Sequence, residues 1–400
     1  MLARAQQMEA EGSEIIHLEI GQPDFETFSN VSLAGVRAIA SGRTRYTHPA
    51  GMPSLRAAIA EDSGRWRGVT FHPEQVVVSP GAKPNLFFPT LALVEPGDEV
   101  IYPDPGFPTY EAMIRLAGGI PVPVPLREEN NFSFDLEAFD RLVNARTRLI
   151  ILNSPSNPTG GVLPISDLEH IADLARRHDC WVMSDEIYAR IVYDKLKAAS
   201  IVSLPGMQER TIIVDGFSKT YAMTGWRLGY GIMPRELAHR VGLLLTHSLG
   251  SSAQFTQDAG LEALTGPQEQ VDRVVAEYQR RRDVIVSGLN AIPGIRCQLP
   301  QGAFYVFPNI QGTGKSSNEL ANQILENGKV ALLPGSSFGK NGEGYLRLSF
   351  ANSIENIERG LERIRSVVTA KNPLHSVEET LRSAQGDIRG GLLETIPADM

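Results

Sequence analysis

From about residue 55 the chain carries short runs of β-branched and other apolar residues, each ending where the sequence turns abruptly polar. They are QVVVS (75–79), DEVIYP (98–103), RLIILN (148–153), CWVMSD (180–185) and TIIVDG (211–216). Near-continuous apolar runs of this length suit strands buried on both faces. Several are separated by helix-period stretches such as ISDLEHIADLARRH (165–178). Strands alternating with helices predict an α/β fold with a mostly parallel, doubly wound sheet. In such sheets ligands collect beyond the carboxyl ends of the strands, which is where these runs become polar.

The pattern changes after the sheet region. PQEQVDRVVAEYQRRRDVIVSGL (267–289) has the length of one charged helix able to bridge two domains, and no internal repeat is found. Beyond it, GIRCQLPQGAFYVFPNI and EGYLRLSFA read as strands around a helix, SSNELANQILENG, which predicts a smaller α+β unit. Past residue 370 the apolar residues follow no regular period, so a flexible tail is expected over 371–400. The first residues, MLARAQQMEAEG, read as a polar helix and lack the apolar centre of a signal peptide.

Composition narrows the classes. A chain of 400 residues exceeds what one core usually serves. Its 42% hydrophobic and 21% charged residues are ordinary for a soluble globular protein. A net charge of −8 argues against a nucleic-acid partner, and no apolar stretch is long enough to span a bilayer. Only Cys180 and Cys297 are present, both in apolar surroundings, so neither a disulfide framework nor a metal site is expected. A cytoplasmic, reducing location follows as the expectation.

The strand ends carry the candidate chemistry, and each feature has a plain alternative. VVVSPGAKPNLFF sets Gly81 and Ala82 before Pro84, a residue suited to a helix's first turn. Amides at such a start can hold a phosphate, or the stretch is a simple turn. Phe107 in YPDPGFPTY is a loop anchor or a ring that stacks on a planar cofactor. Asn157 in ILNSPSNPTGG lies between prolines, where asparagine is also a common turn residue. Asp185 and Glu186 end an apolar run, with Tyr188 following; a buried acid there needs a cationic partner or caps a helix. Lys219 follows TIIVDG with Arg227 eight residues on. Burial and a neighbouring cation would depress the lysine's pKa and make it a nucleophile; otherwise it is a solvated loop residue. An amine, a carboxylate, a phenol, an amide, a stacking ring and a phosphate nest at one sheet edge suit pyridoxal phosphate.

The stretch GFSKTYAMTGWRLG resembles the lysine signature of class I pyridoxal-phosphate aminotransferases of fold type I. GQPDF, YTHPAGMPSLRAAIA, PGDEV, NSPSNPTG, SDEIY, GAFY, LLPGSSFG and YLRLSFA extend the resemblance in order over about residues 1 to 370. The resemblance implies that Lys219 holds the cofactor as a Schiff base, that Asp185 pairs with the ring nitrogen, and that Tyr188 and Asn157 bond the phenolic oxygen. It implies further that Phe107 stacks on the ring and that Gly81, Ala82, Lys83, Ser218 and Arg227 surround the phosphate. Tyr46 would reach that phosphate from a neighbouring subunit of a homodimer with shared sites. Arg347 and the backbone of Gly21 would hold the substrate α-carboxylate. Lys83 either faces the phosphate or meets the distal carboxylate of an acidic substrate, as in the aspartate-type branch. By the same resemblance, residues 31–270 form a large cofactor-binding domain and 271–370 a small one to which 1–30 contribute.

The implied reaction moves an amino group from an L-amino acid to a 2-oxo acid such as 2-oxoglutarate, with aspartate, alanine or an aromatic amino acid as donor. The alternative on the same fold is a C–S β-lyase. A transcription regulator with an aminotransferase-like domain is a third class, but would carry a basic DNA-binding domain ahead of it. Two departures stand out. Gly216 occupies a position where many relatives have a phosphate-binding serine, and the chain starts where relatives already have an N-terminal segment that lines the substrate pocket.

Overall fold

In the computed structural model, which describes residues 1–370, the five apolar runs are all strands of one eight-stranded sheet. The tail expected over 371–400 lies outside the described residues. From one edge the strands are Val76–Ser79, Gly229–Ile232, Thr211–Gly216, Trp181–Asp185, Thr147–Asn153, Glu99–Asp104, Ile120–Arg127 and Ser133–Phe134. Those from Thr211–Gly216 through Ile120–Arg127 pair in parallel. Gly229–Ile232 runs antiparallel to both its neighbours, and Ser133–Phe134 closes the far edge antiparallel.

Both faces of the sheet are covered, which is why the runs lack alternation. Ile150, Leu152 and Val182 pack with Leu168 and Ile171 of helix Ile165–Arg177. Their neighbours Leu149, Ile151 and Met183 pack on the other side with Leu86, Tyr110 and Leu237, from helices Pro84–Leu93, Thr109–Leu116 and Arg235–Thr246.

Three strands fall outside the apolar runs: the two-residue return Ser133–Phe134, and two that their composition hides. Ile120–Arg127 reads IPVPVPLR, with prolines at 121, 123 and 125. Alternate residues of a strand turn their backbone groups to the same side. Ile120 N–H donates inward to Asp98, so the three prolines turn toward the outer edge, where no donor is needed. Gly229–Ile232 reads GYGI because space is short. A Cβ on Gly229 would overlap the backbone of Gly81 and Ala82, and one on Gly231 would meet the Asn85 side chain.

The C-terminal unit has a three-stranded sheet ordered Tyr305–Val306, Leu346–Ser349, Leu333–Pro334. Strand Ile16–His17 pairs in parallel with Val330–Ala331, joining the chain's first residues to this unit. The expected strand in GIRCQLPQGAFYVFPNI shrinks to Tyr305–Val306 and isolated bridges at Arg296, Gly302 and Asn309. Pro300 and Pro308 interrupt the donors a longer ladder would need. SSNELANQILENG forms helix Ser317–Gln323 and a π-helical turn, Ile324–Gly328. The long helix is Glu269–Asn290. Its Val271 joins the cluster of Ile213 and Phe217, whereas Ile285 and Leu289 join that of Phe304 and Leu348. Among the described residues no helix is long and apolar enough to cross a membrane.

Candidate active site

Parallel register brings the polar strand ends together. Asn153 stands opposite Asp185, and Asp185 opposite Val214, two residues before the end of the strand that leads into the Lys219 turn. A cavity of about 670 Å³ opens there. Its lining includes Gly21, Ala82, Lys83, Phe107, Asn157, Asp185, Tyr188, Ser218, Lys219, Arg227 and Arg347. Gly81 and Tyr46 are outside that lining. Gly81 lies directly behind it, at φ +82°, and a Cβ there would overlap the Arg227 guanidinium. Tyr46 is 98% exposed on this chain.

Phe217 is fully buried and anchors the turn that delivers Lys219. The ammonium donates to the Gly21 carbonyl at 2.6 Å. Burial, and then the charges of Arg347 and Arg227, push its pKa down to about 8. Near neutral pH a usable fraction of this lysine is therefore free amine.

Asp185 is the last residue of its strand and is buried. Its Oδ2 accepts from the Tyr110 hydroxyl at 2.8 Å and its Oδ1 from the Ile187 amide at 3.3 Å. Burial pushes its carboxyl up to about 6 against those hydrogen bonds. Residues 187–190 form a turn, so there is no helix for Asp185 to cap. Glu186 faces a different partner. Arg67 donates from Nε to Glu186 Oε2 at 2.8 Å and from Nη2 to Asp215 Oδ2 at 3.0 Å, all three residues being buried. The hydroxyls of Ser184 and Ser200 donate to the other Glu186 oxygen. Of the two adjacent acids, only Asp185 faces the cavity, and among the described residues it has no cationic partner within ion-pair distance.

Arg347, on strand Leu346–Ser349, is buried between the rings of Tyr305 and Phe338, with its guanidinium carbon 4.5 and 5.1 Å from their centroids. It donates to Asn157 Oδ1 at 3.3 Å and to the Glu19 carbonyl, while its buried Nε has no partner among the described residues. Burial holds its pKa below the usual arginine value. Tyr188 and Tyr305 share a hydrogen bond of 2.8 Å, and burial pushes the Tyr188 phenol well above its ordinary range. A Cβ on Gly21 would overlap the Tyr305 hydroxyl, which accounts for glycine at that position.

At the far end, helix Pro84–Leu93 starts with proline at its first position, as the sequence predicts. The guanidinium of Arg227 is exposed and donates to the Thr224 carbonyl at 2.9 Å. Pyridoxal phosphate fits this donor set. The amine suits its aldehyde, the uncompensated carboxylate of Asp185 suits a protonated ring nitrogen, and the helix start with Arg227 suits the phosphate. The orphaned Arg347 Nε marks a place for one further anion.

Tyr110, Asn153 and Tyr305 also line the cavity and were not among the expected site residues. Tyr110 lies three residues after Phe107 in YPDPGFPTY, and Tyr305 ends GAFY, so both sit inside stretches that already stood out. Asn153 ends its strand, and Arg67 closes helix Pro53–Arg67 with nothing local to single it out.

A parallel sheet with a lysine, an acid and an anion nest at its carboxyl edge defines a pyridoxal-phosphate enzyme of fold type I. The family model described as aminotransferase class I and II matches residues 13–364, and the chain belongs to that family. It is a pyridoxal-phosphate-dependent transaminase. The chain is 39% identical to an aspartate aminotransferase of Pyrococcus horikoshii, over 92% of this chain and 93% of that protein. It is also 39% identical to aromatic-amino-acid aminotransferase 2 of Thermococcus litoralis, over 90% and 94%. The crystal structure titled as the aspartate aminotransferase from Thermus thermophilus with maleate superposes with a TM-score of 0.87 at 39% identity, covering 92% of this chain and 95% of that one. These relatives are named for transamination, and nothing in them favours the β-lyase alternative.

Proposed function

We propose that this transaminase prefers acidic amino donors, aspartate first, and passes the amino group to 2-oxoglutarate. The observation that carries the reading is a cavity lined by cations without acidic partners among the described residues. Arg227 is one, Arg347 the second and Lys83 the third. The Lys83 ammonium lies 5.3 Å from the Phe107 ring centroid and makes neither hydrogen bond nor ion pair there. A cofactor phosphate accounts for one cation and an α-carboxylate for another. The third is left for a distal carboxylate. The Thermus relative is described with maleate, a four-carbon dicarboxylate.

When bound, pyridoxal phosphate supplies an aldehyde and an electron-withdrawing ring that eases loss of a Cα proton. Lys219 would hold that aldehyde, and its Nζ, when free, would be the base placed to take up the substrate's Cα proton. Asp185 keeps the ring nitrogen protonated; Tyr188 and Asn157 hold the phenolic oxygen; Phe107 covers the ring. Gly81, Ala82, Lys83 through its backbone, Ser218 and Arg227 enclose the phosphate. Arg347 and the Gly21 amide orient the α-carboxylate through paired hydrogen bonds. With Gly at 216, that enclosure has one hydroxyl fewer than a serine there would give.

The same proposal includes a homodimer in which the partner's Tyr46 completes the phosphate site. Its support is an exposed apolar stripe, Leu33, Val36 and Ile39, on helix Ser29–Ala40, close in sequence to the exposed Tyr46. Mixing inactive Tyr46→Ala and Lys219→Ala chains should regenerate one intact site per hybrid dimer and return measurable turnover. No recovery after demonstrated subunit exchange would remove the shared site. A large unit over 31–270 and a small one over 271–370 completed by 1–30 belong to the proposal too, supported by the pairing of Ile16–His17 with Val330–Ala331. So does a cytoplasmic location, which the free, buried thiols of Cys180 and Cys297 support.

Assays of several amino donors with 2-oxoglutarate test the substrate preference. Lys83→Ala should cut kcat/KM for aspartate about tenfold or more, the value of a charge-assisted contact, and spare alanine and phenylalanine. Equal losses for both classes would assign Lys83 to the cofactor instead, and aromatic donors outrunning aspartate would move the preference to them.

A further inference from the structure

We propose that Tyr110 is a positioning residue for the reaction: its phenol fixes the Asp185 carboxylate toward the ring nitrogen of the cofactor, and its ring braces Phe107. This rests on the reading, proposed above, that Asp185 serves that nitrogen.

Tyr110 has no exposed surface apart from the cavity it lines, and its hydroxyl has one partner, Asp185 Oδ2 at 2.8 Å. A buried hydroxyl needs a partner, and a carboxylate gains most from a donor that cannot reorient. Here the donor is held rigidly, because Tyr110 occupies the first turn of helix Thr109–Leu116. Among the described residues no other side chain donates to the Asp185 carboxylate; its second oxygen has the longer contact to the Ile187 amide. The phenol therefore fixes which oxygen is turned to the wall and leaves the other lone pairs for the cavity. It also favours the ionised carboxylate that burial opposes. A carboxylic acid that stayed neutral could not hold a ring-nitrogen proton. The same tyrosine meets Phe107 edge to face, with centroids 5.8 Å apart and planes at 81°. One side chain thus supports two groups that contact different parts of the same ring.

Tyr110→Phe separates these supports, since it keeps the brace and removes the donor. In that variant kcat should fall about tenfold or more, with KM for the amino donor little changed, and the Kd of pyridoxal phosphate for the apoenzyme should rise by a similar factor. The decisive comparison uses a carbocyclic cofactor analogue with CH in place of the ring nitrogen. Parent and Tyr110→Phe apoenzymes should bind this analogue equally well. Equal weakening toward both cofactors, or unchanged affinity for the natural one, would overturn the proposal. Asp185→Asn serves as the reference for the underlying reading. If it too fails to distinguish cofactor from analogue, the assignment of Asp185 is what fails. Should Tyr110→Phe not fold, 3-fluorotyrosine at position 110 keeps shape and donor and makes the donor more acidic. It should alter affinity for pyridoxal phosphate and leave that for the analogue untouched; an equal change in both would again defeat the proposal.

Discussion

Lys219→Ala should leave an enzyme that still takes up pyridoxal phosphate but turns over amino acids roughly 10⁴-fold more slowly, the upper range for loss of a positioned acid–base group. Among the described residues nothing else in the cavity replaces it. Lys83 is the one other lysine in the lining, and its ammonium sits beside Phe107. Borohydride treatment of the parent holoenzyme should fix the cofactor on Lys219, as located by mass spectrometry of the peptides; an adduct on Lys83 would defeat the assignment. The apoenzyme offers a second check through pH. With its pKa lowered to about 8, Lys219 is mostly protonated below that pH and mostly free amine above it. Labelling of the apoenzyme by an amine-selective reagent should therefore rise at Lys219 around pH 8, before ordinary lysines respond near pH 10.4. Arg347→Ala removes the neighbouring cation with the larger effect on Lys219 and should move that midpoint upward.

The second large effect is on stability. Arg67 is the shared partner of Glu186 and Asp215 in a buried group that includes the Tyr230 hydroxyl, which donates to Asp215 at 3.1 Å. Arg67→Leu leaves two carboxylates buried without their cation, and removing one partner of such a group costs about 3–5 kcal/mol. Chemical denaturation of the apoenzyme should show this as a lower midpoint. The triple variant Arg67→Leu, Glu186→Gln, Asp215→Asn should recover most of the loss, because no charge is then left unpaired. A single variant as stable as the parent would show that the guanidinium is not needed to neutralise these acids.

Much of this is legible in the sequence alone, and for a physical reason. Strands buried on both faces write themselves as uninterrupted apolar runs, and their ends mark the ligand edge. So Asp185 and Lys219 could be placed at the same edge from sequence. What stayed hidden depends on partners distant in the chain. Which of Asp185 and Glu186 faces the cavity is decided by Arg67, more than a hundred positions earlier, and no local pattern around RWR announces it. Tyr110 was overlooked because a tyrosine in a helix's first turn reads as packing; only its contact with Asp185 shows otherwise. Gly21, by contrast, could be named from resemblance, yet its reason appears only when the Tyr305 hydroxyl is seen against it.

The prolines of Ile120–Arg127 have an effect beyond hiding a strand. A sheet rim with a full row of free N–H groups is a template on which another chain can lay a strand. Here Pro121, Pro123 and Pro125 blank out successive outward positions, so an incoming strand would find acceptors but no donors along that stretch. Among the described residues the short hairpin return at Ser133–Phe134 caps the rim's end. The chain thus carries its own safeguard against fibril-like growth along this margin of its largest sheet.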